Sequence, residues 1–205
     1  FYARGGMIGI PLGFQKCGER KGMEVRLNTT VEKVIVENRT AKAVKLSDGT
    51  VIDAKIIVSD INSKKLYMEM IDQNNISWLA KAGYKSYRYS MATPMIYLCL
   101  DYAPPLKDHH TLMTVPMQKM NDYWFDHYEK GKFPTEQFGI LSWTTRSDPS
   151  LAPPGHHIIA VTLAPGPYRL AGTTWDKEKE TIKQNVIQYL ERRYLPGLRD
   201  HIVHA

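Results

Sequence analysis

Short segments rich in β-branched residues, bounded by residues that favour turns, recur along the chain. The first group contains VEKVIVE at 31–37, AKAVKL at 41–46 and TVI at 50–52, separated by turn signals at NRT and SDG. Segments of this length and spacing are typical of strands joined by tight turns. The spacing therefore predicts a small three-stranded meander between residues 31 and 52.

Strands are also predicted on both sides of this meander. MEVRL at 23–27 precedes it, and KIIVSD at 55–60 follows it with the unbroken apolar run Ile56, Ile57 and Val58. Such a run is typical of a strand buried on both faces, so we expect 55–60 to join a parallel sheet. Later segments with strand character are 84–102, 110–115, 138–145 and 156–165.

Two helices are indicated by their periodicity and by their ends. The first is predicted at 7–21, with Gly22 as its stop. The second is predicted at about 176–194, where apolar residues recur at helical spacing and Arg192 and Arg193 suit the negative end of the helix dipole. A further helix is predicted around 121–131, and weaker helical character is found at 61–82. The pattern predicts a mixed α/β chain with a largely antiparallel sheet flanked by helices.

Composition narrows the class of protein. An apolar content of 43% over 205 residues is enough for a globular core. No apolar run approaches the roughly 18–20 residues that a transmembrane helix needs, and no signal-peptide pattern is present. The cysteines, Cys17 and Cys99, are too few and too distant for a disulfide framework, which favours a reducing, cytoplasmic compartment. Phe1 in place of Met, and an end just after Ile202 and Val203, predict an internal segment of a longer protein.

The net charge of +6 and the pI near 9.2 favour contact with anionic surfaces. The basic residues are scattered, without a basic face interleaved with aromatic residues or a recognisable nucleic-acid module. The sequence therefore predicts no nucleic-acid partner and favours peripheral attraction to anionic lipid.

The glycine-rich stretch GGMIGIPLG at 5–13 resembles a phosphate-binding loop only superficially. Gly6, Gly9 and Gly13 have the spacing G-x-x-G-x-x-x-G instead of G-x-G-x-x-G, no strand precedes them, and no Walker Lys-Ser/Thr pair follows. The alternative is structural, because glycines let the backbone turn tightly into a helix and pack closely.

No metal site or catalytic constellation is predicted. The pairs His109–His110 and His156–His157 lie at predicted strand starts, where consecutive side chains point to opposite faces. Between residues 144 and 157, Ser147 and Asp148 lie near His156 only in sequence, within a segment rich in turn residues. The catalytic residues stay unassigned.

Several segments follow one another in a distinctive order. They are YARGGMIGIP (2–11), GMEVRLNTTVEKVIVEN (22–38), AVKLSDGTVIDAKIIVSD (43–60), HHTLM (109–113), SDPSLAPPGHH (147–157) and YLERRYLPGLRDHIV (189–203). In this combination they resemble the phytoene desaturase family of FAD-dependent oxidoreductases, which includes carotenoid desaturases, carotene isomerases and retinol saturases.

The resemblance implies part of a Rossmann-like FAD domain at 1–60, with a helix, a β-meander and a buried return strand, and most of a substrate domain at 61–205. It also implies hydride transfer between a flavin and a hydrophobic isoprenoid or carotenoid-like polyene. The family's phosphate fingerprint and a second flavin-contacting segment lie outside this chain. We therefore expect these residues alone to bind FAD weakly or not at all.

Site residues follow from the same resemblance. Val31 matches a position whose backbone contacts the adenine of FAD, and Ser59 lies where the chain passes close to the cofactor. The turn that approaches the flavin ring and the substrate cavity is matched by Arg4, Gly5, Gly6 and Met7. The chain departs from the common pattern at Asp60, where the family often has Asn, and at Ala3, where Pro is common.

Aromatic residues of the substrate domain, among them Tyr89, Tyr97 and Trp143, are suited to lining a cavity for an apolar chain, with ordinary core packing as the alternative. The segment 115–133 mixes Met and aromatic residues with Lys, as in a membrane-facing surface or in a plain amphipathic helix on the core. Within the superfamily a redox-neutral isomerase, a saturase or a flavin amine oxidase remains open, as does a non-catalytic prenyl-binding escort protein of the same fold. The sequence does not set the oligomeric state.

Overall fold

A computed structural model describes residues 3–205 in two compact units. The first unit joins the start of the chain, up to Lys16, to Ser90–Ala205, and the second is Cys17–Tyr89. The predicted division into an FAD domain at 1–60 and a substrate domain at 61–205 concerns ligand roles and stays a prediction.

The second unit contains the predicted meander. Strands β1 (Val31–Glu37), β2 (Thr40–Leu46) and β3 (Val51–Asp53) form an antiparallel sheet in the order β1-β2-β3. Asn38 and Arg39 form the first turn, with φ of 49° and 61°. Positive φ at both central residues is what a tight hairpin requires, and Asn tolerates it better than most residues.

Short helices follow the meander in the same unit. Helix α2 (Ser63–Lys65) continues into a π-helical turn at Leu66–Met70, and helix α3 (Trp78–Ser86) begins after Ser77, whose hydroxyl accepts a hydrogen bond from the Ala80 N–H. These elements agree with the weak helical character predicted at 61–82. They are attached to the meander where the Asn75 side chain donates to the Val36 carbonyl at 3.2 Å.

Two predicted strands of this unit are absent. Residues 23–27 and 55–60 are irregular, and the side chains of Ile56 and Val58 are 81% and 90% exposed. The prediction of a buried parallel strand at 55–60 was therefore wrong. An apolar run indicates that a segment can be buried, but a strand also needs a neighbouring chain to complete its hydrogen bonds, and no described strand pairs with this segment.

The first unit contains a five-stranded antiparallel sheet in the order β5-β6-β7-β4-β8. Its strands are β4 (Met95–Leu100), β5 (His110–Met113), β6 (Gly139–Trp143), β7 (His157–Thr162) and β8 (Ile202–His204). The strand predicted at 84–102 begins only after Pro94, which has no N–H to donate to a sheet ladder. The other strands predicted in this half are confirmed within a few residues.

Helix α1 (Gly9–Glu19) confirms the first predicted helix and has no buried residue. Helix α4 (Met117–Asp122) continues into a π-helical turn at Tyr123–Tyr128, and α5 (Thr144–Ser147) is a single turn between β6 and β7. No helix of the described chain is both long and apolar enough to cross a membrane.

Helix α6 (Trp175–Arg193) covers one face of the five-stranded sheet. Its first turn is capped by Thr174, whose hydroxyl accepts a hydrogen bond from the Lys177 N–H. The helix and sheet share one buried cluster, which includes Leu98, Leu100, Leu141, Ile159, Val161, Val186, Ile187 and Leu190. The predicted mixed α/β fold, with antiparallel sheet flanked by helices, is confirmed.

Candidate functional site

A tight turn leads into α1. The Gly6 N–H donates to the Ala3 carbonyl at 2.9 Å, and Gly5 and Gly6 have φ of 79° and 84°. Only glycine adopts this conformation readily, which explains the Gly-Gly pair. A Cβ atom on Gly6 would lie 3.4 Å from the Leu151 side chain, whereas one on Gly5 would meet nothing within 4 Å. The matching segment begins at Tyr2, which lies outside the described residues.

The carboxylate of Asp148 holds this turn. The Gly5 N–H donates to Oδ2 at 2.5 Å, and the N–H and hydroxyl of Ser150 donate to Oδ1 at 3.1 and 2.6 Å. Asp148 is 5% exposed. The Ser150 hydroxyl, followed by the Gly5 N–H, holds the pKa of the Asp148 carboxyl below its ordinary value, with a smaller contribution from Arg4.

Sequence reasoning placed Asp148 in a loop and gave it no role. Its position before Pro149 and two residues before Ser150 is a local signal for capping a short turn, and it does cap the 3₁₀ turn Pro149–Leu151. The contact with Gly5 spans 143 residues of sequence, so no local pattern points to it.

The two faces of the five-stranded sheet carry different residues. Side chains directly opposite each other in antiparallel strands lie on the same face. Leu98 is opposite Ile159, which is opposite Trp143, and this face packs on α6. Tyr97 is opposite Ala160, on the other face. The structure therefore does not bring Tyr97 and Trp143 to one surface.

We call the face that carries Tyr97 the outer face. Its residues are Met95, Tyr97, Cys99, His110, Leu112, Ile140, Ser142, Ile158, Ala160 and Thr162. Met95, Tyr97 and Leu112 are 47%, 56% and 68% exposed. Because neighbouring strands are about 4.8 Å apart, four strands give the outer face a width of about 14 Å. It is a largely apolar and partly open surface.

Trp143 is a packed residue on the opposite face. It is 8% exposed, and its indole N–H donates to the Thr145 hydroxyl at 3.1 Å. The Arg146 guanidinium lies 5.2 Å from the ring centroid. These contacts are those of a residue packed in the core, which is the alternative to lining a cavity for an apolar chain.

Three of the predicted site residues belong to the second unit. Val31 is half-buried at the start of β1, opposite Leu46. The exposed hydroxyl of Ser59 accepts a hydrogen bond from the Ile61 N–H at 3.3 Å. The Lys64 ammonium lies over the Tyr89 ring, with Nζ 5.5 Å from the ring centroid. Arg4 and Met7 belong to the first unit with the glycine turn, and both are exposed.

The histidine pairs make separate local contacts. His109 Nδ1 lies 2.6 Å from the Ser147 hydroxyl, and burial, followed by the neighbouring His110, lowers the pKa of His109. His156 Nδ1 donates to the Pro154 carbonyl at 3.3 Å. Among the side chains that the structure describes, no group of three or more potential ligands is placed to hold a metal ion.

The segment around α4 is amphipathic. Met117, Met120 and Phe125 are 73%, 40% and 60% exposed, whereas Tyr123 is buried and donates to the Glu136 carbonyl. This burial raises the pKa of Tyr123. The same region contains a surface cavity of about 350 Å³, lined by Pro116, Lys119, Glu136, Tyr189, Arg192 and Arg193.

No protein-family model matches the chain. One solved structure, an oxidoreductase from Methanosarcina mazei, superposes with a TM-score of 0.61 over 95% of this chain and 40% of its own, at 17% identity. At this identity the match concerns the fold alone. The chain therefore has a fold that occurs within a known oxidoreductase.

Comparison with curated sequences identifies relatives of this chain by name. The chain is 27% identical over 99% of its length to a lycopene-forming phytoene desaturase of Pseudescherichia vulneris, and 30% identical over 98% to a neurosporene-forming phytoene desaturase of Rhodobacter capsulatus. It is 28% identical over 98% to a chloroplastic prolycopene isomerase of Daucus carota. It spans 41%, 39% and 32% of these relatives. The chain is thus a homologue of carotenoid desaturases and prolycopene isomerases, and the resemblance found in its segments is confirmed.

Proposed function

We propose that this chain is part of an FAD-dependent oxidoreductase that acts on an isoprenoid or carotenoid-like polyene by hydride transfer. The observation that carries the proposal is similarity along nearly the whole chain to proteins named as carotenoid desaturases, 98% of it for the Rhodobacter capsulatus relative. The outer face supports it, because an apolar surface suits a substrate with few polar groups.

The residues present fit a flavin at the glycine turn. Gly5 is exposed, and open space lies where its Cβ would be, so a planar ring can approach the backbone without a clash. A Cβ on Gly6, by contrast, would meet the Leu151 side chain at 3.4 Å, so less room is left on that side of the turn. We further propose, from the resemblance of their segments, that Val31 and Ser59 contact the cofactor. FAD, when bound, accepts or returns the hydride.

The roles of the chain's own residues are to hold the polyene and to exclude water. We assign Tyr97 and Met95 on β4, together with Leu112 on β5 at the other side of the outer face, to the surface for the apolar chain. Arg4 and Met7 are assigned to the end near the glycine turn. Tyr89 is proposed to line a cavity for the apolar chain. Each square ångström of apolar surface removed from water contributes about 25 cal/mol, so burial supplies most of the affinity. We do not assign Trp143 to this surface, because its ring lies on the packed face.

We also propose peripheral contact with an anionic membrane on the cytoplasmic side, through α4 and the turn that follows it. Exposed Met117 and Phe125 offer apolar side chains, and Lys119, Arg192 and Arg193 surround the nearby cavity. Apolar side chains beside cations are typical of interfacial helices. Such a surface would give a lipid-soluble substrate a route from the membrane.

Redox-neutral isomerisation is the second candidate, and the similarity to the Daucus carota prolycopene isomerase favours it. Both candidates use the same apolar surface and differ in whether electrons leave the substrate. Product analysis therefore separates them: desaturation lengthens the conjugated system and shifts its absorption to longer wavelength, whereas isomerisation leaves the number of double bonds unchanged.

The test is to purify the full-length protein that contains this chain under mild conditions and to assay it with phytoene and with cis-lycopene. We expect bound flavin, seen as its visible absorbance band, and one of the two products. A preparation without flavin and without activity on either substrate would refute the proposal. We expect the 205-residue chain alone to bind FAD weakly or not at all, because it contains no G-x-G-x-x-G segment, and tight stoichiometric binding would contradict this expectation.

A further inference from the structure

The Asp148 carboxylate connects two parts of the first unit that are far apart in sequence. Oδ2 accepts from the Gly5 N–H at 2.5 Å, and Oδ1 accepts from both the N–H and the hydroxyl of Ser150. The side chain is almost fully buried. Both carboxylate oxygens are therefore used, one by the glycine turn and one by the segment in which Asp148 lies.

The segment that carries Asp148 is itself held firmly. The Asp148 N–H donates to the Thr144 carbonyl at 3.2 Å, and Pro149 restricts the start of the following 3₁₀ turn. The hydroxyl of Thr144 donates to the Ile158 carbonyl at 3.1 Å, and the hydroxyl of Thr145 accepts from the Ile158 N–H at 3.1 Å. These bonds attach the segment to β7, so Asp148 offers a fixed acceptor.

The glycine turn needs such an acceptor. Two consecutive glycines have the largest backbone freedom of any dipeptide. Contacts from outside the turn therefore add to the local bond between the Gly6 N–H and the Ala3 carbonyl in setting their conformation. The contact of Gly5 with Asp148 is charge-assisted and therefore among the stronger hydrogen bonds. The Leu151 side chain, from the same segment as Asp148, lies where a Cβ on Gly6 would make contact at 3.4 Å.

We propose that Asp148 is a positioning residue, which sets the Gly5–Gly6 turn and thereby the edge of the cavity against which the flavin and the reacting carbons of the polyene are aligned. This inference rests on the proposed function. Asp148 touches neither substrate nor cofactor and acts through the turn. Its loss therefore affects the alignment for hydride transfer more than the binding of the polyene, since small misplacements at a reacting centre lower the rate strongly.

The variant Asp148→Ser separates the two roles of the side chain. Serine keeps an oxygen that caps the 3₁₀ turn, but it is one atom shorter and uncharged, so it loses the bond to Gly5. The matched control is Asp72→Ser. Asp72 also caps a 3₁₀ turn, at Gln73–Asn75, and accepts from the Asn74 N–H at 2.8 Å, but it belongs to the second unit and not to the one that contains the glycine turn.

The first measurement is hydrogen exchange at the Gly5 and Gly6 amides in the 205-residue chain, which needs no flavin. We expect D148S to raise the exchange rate at these amides about tenfold or more, with the amides of β4 and β7 still protected, and D72S to leave them unchanged. Equal exchange in wild type and D148S would overturn the proposal. If D148S does not fold, Asp148→Asn replaces it. The amide has the shape of the carboxylate but only one oxygen, so it can accept from Gly5 or from Ser150 but not from both, and its N–H₂ faces the other donors.

The second measurement uses the full-length protein. We expect D148S to lower kcat by tenfold or more with KM changed less than threefold, and to shift the visible absorbance band of the bound flavin. The positioning role would be overturned if D148S shows faster exchange at the glycine turn but keeps the wild-type kcat and an unshifted flavin band. Failure of the proposed function is a different result: the wild-type protein would then hold no flavin and convert no polyene, while the exchange measurement still decides whether Asp148 holds the turn.

Discussion

Tyr97 and Leu98 are neighbours on β4 that lie on opposite faces of the sheet, and replacing each by alanine should give opposite results. Leu98 is 0% exposed within the cluster shared with α6. Leu→Ala changes at such sites cost about 3–5 kcal/mol. For a protein of this size, 1 kcal/mol corresponds to about 2–4 °C in Tm. We therefore expect L98A to lower Tm by about 6–20 °C.

Tyr97→Ala should affect binding instead of stability. Tyr97 is 56% exposed, and a buried Tyr removes roughly 150–250 Å² from water. Covering the exposed half with a polyene therefore buries on the order of 100 Å², worth about 2.5 kcal/mol at ~25 cal/mol per Å². We expect Y97A to weaken polyene binding by as much as about 70-fold and to lower Tm by less than about 3 °C.

Thermal unfolding is measured on the 205-residue chain, whose size sets the expected Tm range. Binding is measured on the full-length protein by titration with a lycopene-type polyene, followed by its absorbance. Leu98→Ala supplies the control for nonspecific loss of structure, and Tyr97→Phe keeps the ring and should bind like wild type. The reasoning is refuted if Y97A destabilises the protein as much as L98A does, or if Y97A binds the polyene with unchanged affinity. The first result would mean that the outer face is packed, and the second that the substrate lies elsewhere.

Further predictions concern charge, the membrane and capping. The pKa of Asp148 is lowered in the folded state, so its stabilising contribution is present above the unfolded pKa of about 3.9 and is lost as pH falls through the folded value. The urea midpoint of wild type should therefore fall more than that of D148N between about pH 5 and pH 2. Replacing both Met117 and Phe125 by Asp should reduce co-sedimentation with vesicles containing phosphatidylserine several-fold, whereas vesicles of neutral lipid should show weak binding for both proteins. Thr174→Ala removes the cap of α6 and should cost about 1 kcal/mol in urea unfolding, with Thr174→Ser close to wild type. The first prediction is contradicted if the urea midpoints of D148N and wild type fall equally with pH. The second is contradicted if the variant with both Asp residues sediments with the vesicles as much as wild type does, and the third if T174A has the wild-type urea midpoint.

Local signals were sufficient for the elements that stabilise themselves locally. The meander follows from strands separated by turn residues, and α6 follows from its apolar spacing and its charged ends. In these segments the hydrogen-bonding partner of each residue lies nearby in sequence. Propensity, patterning and turn chemistry therefore agree, and the boundaries are within a few residues of the structure.

The features that the sequence does not determine depend on distant partners. Residues 55–60 have the composition of a buried strand, but whether they become one depends on a neighbouring chain that their own sequence does not encode. The faces of Tyr97 and Trp143 depend on the register between strands, which the alternation within one strand does not determine. The contact between Gly5 and Asp148 is a third example, since each residue taken alone is an ordinary turn residue.

The strand order of the five-stranded sheet has a consequence for synthesis of the protein. Strand β4 lies between β7 and β8, and Met95 pairs with Thr162, so β4 leaves the ribosome well before either neighbour exists. At about 5–20 residues per second, the interval before β7 is made is on the order of several seconds. During that time Leu98 and Leu100 have no strand to pack beside. Nascent chains should therefore engage chaperones at β4, and substitutions that delay β7 should lower the yield of folded protein even where they leave the finished fold equally stable.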